Sequence, residues 1–167
     1  KFIKSAENSN FDQNNNDDPK WTQDAQVLQW IGEAKCLLAM AYHDLVVMFG
    51  DVPFSFDPAS SHGTDFVIPI MDRETLQDTL IKDLKAIAPV MSSTTDVTVE
   101  HCSKEFAQGL IARIALTAGG YSLRPNKSEA TSYGTMKRPD NWQYFYQIAR
   151  DYADSVITAG THSVSKS

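Results

Sequence analysis

The chain has 167 residues, 42% hydrophobic and 22% charged, with 21 acidic side chains against 15 basic ones for a net charge of −6. That length and composition fit one globular domain with its own core. So small an acidic balance gives no reason to expect nucleic acid or an anionic membrane surface as a partner.

Residues 1–25 are polar and cluster asparagine and aspartate from Asn8 to Asp18 before Pro19. Asn and Asp side chains compete for backbone hydrogen bonds, so this region reads as a loop. Asp12, Asn14, Asn16 and Asp18 alternate like the first ligands of a calcium loop. Asp17 stands where such a loop needs glycine and Gln23 where it needs glutamate, so a solvated polar loop is expected and no metal.

From Val27 the pattern turns helical. Val27, Ile31, Ala34, Leu38, Ala41, Leu45 and Met48 recur at steps of three and four, and Leu37, Met40, Val46, Val47 and Phe49 widen the apolar arc. The expectation is a core helix packed on several sides, ending near Phe49 because Gly50 and then Pro53 follow. Lys35, His43 and Asp44 keep it short of the roughly 18 apolar residues of a membrane span. His43 is expected to be a satisfied structural histidine, since no second ligand stands at helical spacing. Cys36 lies in the apolar run, where a reduced thiol behaves as a small hydrophobe; a disulfide to Cys102, the other cysteine, stays open.

The stretch from Gly50 to Met71 holds Pro53, Pro58, Gly63 and Pro69 and reads as a long surface loop anchored by Phe54, Phe56 and Phe66. Asp72 is a cap for a second helix, Arg73 to Met91, with Leu76, Leu80, Leu84, Ile87 and Met91 opposite Asp78, Lys82 and Lys85. Ser92 to Cys102 reads as a linker. Ser103 is expected to cap a third helix, Lys104 to Ala118, with Phe106, Leu110, Ile114 and Thr117 on one side. Ala107, Ala112, Ala115 and Ala118 on the other let a neighbour approach closely. After a polar loop, Tyr121 to Asp140, Asn141 is expected to cap a fourth helix ending at Gly160, with Phe145, Ile148, Ala149, Tyr152, Val156 and Ala159 inward. Four helices and no convincing strand predict an all-α fold, a TPR-like antiparallel helix array with long irregular loops.

No motif places a catalytic pair of carboxylates, a nucleophile elbow, a zinc-ligand spacing or a glycine-rich phosphate loop. No catalytic residue, cofactor or metal site is therefore expected. Sugar rings stack on flat aromatic side chains while polar neighbours bind their hydroxyls, which makes Trp21, Tyr133 and Trp142 the candidate ligand contacts. Trp142 competes with a role as core anchor, and Tyr121 and Tyr144 read as packing residues.

The segment G-E-A-K-x-L-x-A-x-A-Y-x-D-L from Gly32, closed by F-G-D-V-P at Pro53, resembles the central signature of the SusD/RagB family of outer-membrane nutrient-binding lipoproteins. The segments Glu105 to Pro125 and Asn141 to Gly160 resemble the same family in the same order. The resemblance implies a polar loop over 1–25, a SusD-like TPR-like helical domain over 26–160 and a flexible tail over 161–167. It implies further sequence on both sides, including an N-terminal lipidated cysteine absent from this chain. It also implies a cell-surface protein of the outer membrane that captures oligosaccharides for a SusC-like TonB-dependent transporter and is not an enzyme. Two other classes stay open, a TPR-like scaffold for a peptide or protein partner and a glycan-active enzyme.

Overall fold

The computed structural model describes residues 24–57, 67–124 and 134–163. Trp21, Tyr133, Phe66 and the calcium-like alternation from Asp12 to Asp18 lie outside the described residues, as do residues 1–23 and 164–167.

Helix α1 spans Ala25–Phe49. It starts at Asp24, whose Oδ1 accepts from the backbone N–H groups of Gln26 at 2.9 Å and Val27 at 3.4 Å. It stops at Gly50, which adopts φ +81° and donates to the Val46 carbonyl at 2.9 Å. The expectation of a helix packed on several sides is corrected. Its buried face is Gln29, Ile31, Gly32, Cys36, Ala39, His43 and Val46, whereas Leu37, Met48 and Phe49 are 61%, 75% and 71% exposed. The reason is position: among the described residues α1 is the first helix of the array and is covered mainly from the side of the second.

Two strands follow, β1 (Val52–Pro53) and β2 (Ile70–Met71), paired antiparallel with Val52 opposite Met71 and Pro53 opposite Ile70. Phe54 is buried beside this pair, edge-on to Tyr42 and to Phe56 with centroids 4.8 Å away in each case. Phe56 itself is exposed.

Helix α2 spans Arg73–Ile87, capped by Asp72 accepting from the Thr75 amide at 3.0 Å. It ends short of the expected Met91 because Pro89 offers no N–H and crowds the preceding turn, and a 3₁₀ turn over Ala88–Val90 takes its place. Met91 is buried against Gly32, where a side chain would meet its Cγ and Sδ at 2.7 Å.

The segment 92–102 is tied down more closely than a linker. Ser93 Oγ donates to Glu105 Oε1 at 2.8 Å, while the Thr94 amide and hydroxyl donate to Oε2 at 2.8 and 3.0 Å. Burial alone would raise the Glu105 carboxyl, but these bonds to its ionised form outweigh burial and hold it down to about 2. Gln29 reaches across from α1, donating to the Cys102 carbonyl at 2.8 Å and accepting from the Ser92 amide at 2.9 Å.

Helix α3 spans Lys104–Ala118, capped by Ser103 Oγ accepting from the Phe106 amide at 3.1 Å. Helix α4 spans Trp142–Ala159 and stops at Gly160, left-handed at φ +63°. Asn141 does not cap it by its side chain. With ψ at 25° its backbone is not extended, so the carboxamide makes no bond to the first turn; the Trp142 amide donates instead to the Pro139 carbonyl at 3.2 Å. The helices pack in chain order, α1 on α2, α2 on α3, and α3 along α4. Leu76, Leu80, Ile81 and Leu84 of α2, Ile111, Ile114 and Ala115 of α3 and Phe145 of α4 are fully buried. Each large side chain among them contributes about 1.5–3 kcal/mol by leaving water.

Between α3 and α4 the expected polar loop contains a hairpin, β3 (Ser122–Arg124) against β4 (Thr135–Lys137). The register is Ser122 to Lys137, Leu123 to Met136 and Arg124 to Thr135. The absence of strands is thus corrected at two places, although the fold remains mostly helical.

Candidate functional site

The hairpin register brings Tyr121 and Arg138 to its open end, one residue beyond the last paired rung on each strand. Chain direction then turns at Pro139 into α4, whose first two turns present Trp142 and Tyr146 at i, i+4 spacing on one side. The Arg138 guanidinium carbon lies 4.8 Å from the Tyr121 ring centroid, 4.8 Å from that of Trp142 and 5.3 Å from that of Tyr146. Trp142 and Tyr146 meet edge to face, centroids 5.4 Å apart and planes at 77°. Arg138 Nη2 donates a long bond of 3.4 Å to the Tyr146 hydroxyl, while Nε is buried with no hydrogen-bond partner among the described residues. A cation over an aromatic face gains about 0.5–1 kcal/mol at an exposed site. Three such faces fix the guanidinium.

The cluster rests on the end of α3. A Cβ at Gly119 would lie 2.6 Å from Tyr146 Cδ1 and 3.0 Å from the Trp142 carbonyl, so glycine there lets the aromatic turn of α4 lie against the backbone. Tyr121 is 66% exposed and Trp142 half-buried. Reading Tyr121 as a packing residue is therefore corrected, because a residue that exposed carries no core. Tyr144 is 45% exposed and its hydroxyl donates to Asp78 at 3.3 Å.

Of the sequence-based candidates, Trp142 falls in this cluster, and Trp21 and Tyr133 lie outside the described residues. Sequence reasoning missed Arg138 and Tyr146. No spacing in the sequence signals them, because they come together only through the pairing of Ser122–Arg124 with Thr135–Lys137, whose register the sequence does not set.

Three other polar groups bear on chemistry. His43 is 3% exposed and its Nδ1 has no partner among the described residues, so it is buried and structural but not fully satisfied. Burial first, then the charge of Arg113, push its imidazole below the ordinary value and keep it neutral at neutral pH. Cys36 and Cys102 are free thiols, and burial first, then the neighbouring Cys102, pushes the Cys36 thiol up. Among the described residues no group of three His, Cys, Asp or Glu side chains is placed to hold a metal ion, and no helix is long and apolar enough to cross a membrane.

A sequential array of antiparallel helices with two minor hairpin pairings defines a mostly-α protein, and the comparisons specify it further. No family model and no curated protein matches the chain. Among solved structures the chain is similar to a SusD-like carbohydrate-binding protein from Bacteroides fragilis, with a TM-score of 0.61 over 84% of this chain at 12% identity. The match takes in 23% of that protein's chain, so the present chain spans about a quarter of it. At that identity the likeness is one of fold, and the fold is SusD-like.

Proposed function

We propose that this protein binds carbohydrate as part of a SusD-like receptor that captures oligosaccharides at the cell surface and delivers them to a TonB-dependent transporter, without catalysing a reaction. Lipid anchoring in the outer membrane and the transporter partner belong to the same proposal, as does a helical domain bounded by residues 26–160. The observation that carries the reading is the likeness of the helical array to a carbohydrate-binding protein. The Tyr121, Trp142 and Arg138 cluster supports it, because an exposed ring beside fixed N–H donors suits the C–H face and hydroxyls of a sugar. A glycan array tests it. Binding of at least one class of oligosaccharide, weakened at least about tenfold by Tyr121→Ala, is the expected result; a chain that stays folded and binds no glycan on the array refutes it.

A further inference from the structure

The setting of Arg138 narrows the class of sugar. Its guanidinium is held against three rings, at 4.8, 4.8 and 5.3 Å, and stacking uses the flat faces of the group while leaving the N–H edge for a partner. Among the described residues that edge meets no carboxylate. Arg124 pairs with Glu74 at 3.2 Å and Arg150 with Asp151 at 3.4 Å, whereas the one hydrogen bond of Arg138 among the described residues is the 3.4 Å bond from Nη2 to the Tyr146 hydroxyl; its Nε is buried, so the terminal nitrogens are the ones open to a ligand. What sets Arg138 apart from the other arginines is its setting against three aromatic rings, with no carboxylate beside it among the described residues. A neutral sugar needs no cation. A planar fork of N–H donors is the complement of a carboxylate, which it binds through two parallel hydrogen bonds. Tyr121 lies with its ring against the Arg138 guanidinium and is 66% exposed, so a sugar resting against the exposed part of that residue is within reach of the guanidinium.

We propose that the Tyr121, Arg138, Trp142 and Tyr146 cluster is a subsite for an acidic sugar, a uronate residue of an oligosaccharide, with Arg138 binding the carboxylate and Tyr121 stacking on the ring. The proposal rests on the carbohydrate reading above and adds the charge of the ligand to it.

The test is calorimetric titration of the full chain with oligogalacturonate and with hyaluronan oligosaccharide, each beside its carboxyl-reduced neutral counterpart of the same length and linkage. At least one acid form should bind at least about tenfold more tightly than its neutral counterpart at about 0.05 M salt, and the advantage should shrink at about 0.5 M. Arg138→Gln should abolish the advantage of the acid form over the neutral one, with Arg138→Lys intermediate because it keeps the charge and loses the fork. The wild-type comparison of acid against neutral form stands even if a variant fails to fold. Equal binding of acid and neutral forms overturns the acidic-sugar subsite and leaves carbohydrate binding intact. No binding of any of the four, together with an empty glycan array, overturns both.

Discussion

Replacing Glu105 by glutamine keeps the shape of the side chain and removes its charge, and it turns an amide N–H₂ towards donors that now have a carboxylate to bond. The carboxyl falls from an ordinary 4.5 to about 2 in the folded protein. At about 1.4 kcal/mol per pH unit, that attaches at most about 3 kcal/mol of stability to the ionised form. Because the folded-state value is the lower of the two, the contribution is complete above about pH 5 and is lost as pH falls towards 2. Glu105→Gln should therefore cost about 2–3 kcal/mol at pH 7, or a fall in Tm of about 4–12 °C for a chain of this length. Urea unfolding followed by circular dichroism at pH 7 and again at pH 3 measures it. The gap between wild type and variant should narrow at the lower pH. A gap of the same size at both pH values would show that the carboxylate charge has no part in holding residues 92–102 to α3, and the reasoning would fail.

Two further outcomes follow from packing and thiol chemistry. Gly119 has φ −77°, open to any residue, so Gly119→Ala tests space alone; with its Cβ 2.6 Å from the Tyr146 ring and 3.0 Å from the Trp142 carbonyl, it should cost about 1–3 kcal/mol in thermal unfolding and alter the near-UV dichroism of the cluster. Cys36 is pushed up to about 12, by burial first and then by contact with Cys102, so a disulfide reagent at pH 8 should label the half-buried Cys102 well before Cys36 in the native protein, and equal native rates would contradict the assigned burial.

Helix boundaries were legible where they are set within a few residues. Ser103 before Lys104 and glycines after Ala118 define α3 by local capping, and the structure places its ends at those residues. Which side of α1 is covered was not legible, because an apolar run all round a helix does not say where its neighbours lie; Met48 and Leu37 face outward although the pattern pointed inward. Two helix ends differ from expectation: α2 stops at Ile87 before Pro89, and the first turn of α4 lacks its side-chain cap, since Asn141 is the right residue type in the wrong backbone conformation. The hairpin escaped because its strands have three residues each, too few for alternation to stand out. With the hairpin went the candidate site. Tyr121, Arg138 and Tyr146 meet through strand pairing and cation–π contact, non-local geometry that spacing along the chain does not carry, whereas Trp142 was singled out as a candidate by its chemistry alone.

The short pairing of Val52–Pro53 with Ile70–Met71 has a bearing on how the chain tolerates change. Next to it, Asp51 accepts from the Arg73 amide at 2.9 Å, and the Arg73 side chain donates to the Val46 carbonyl at 2.7 Å and the Leu123 carbonyl at 3.2 Å. Together they form a clasp: the polypeptide leaves α1 and re-enters α2 at one fixed place, whatever runs between. Lengthening the enclosed stretch costs only about 0.6 kcal/mol per doubling once its two ends are held. The span between the clasped ends is thus a place where insertions and deletions can accumulate over generations while α1 and α2 keep their register.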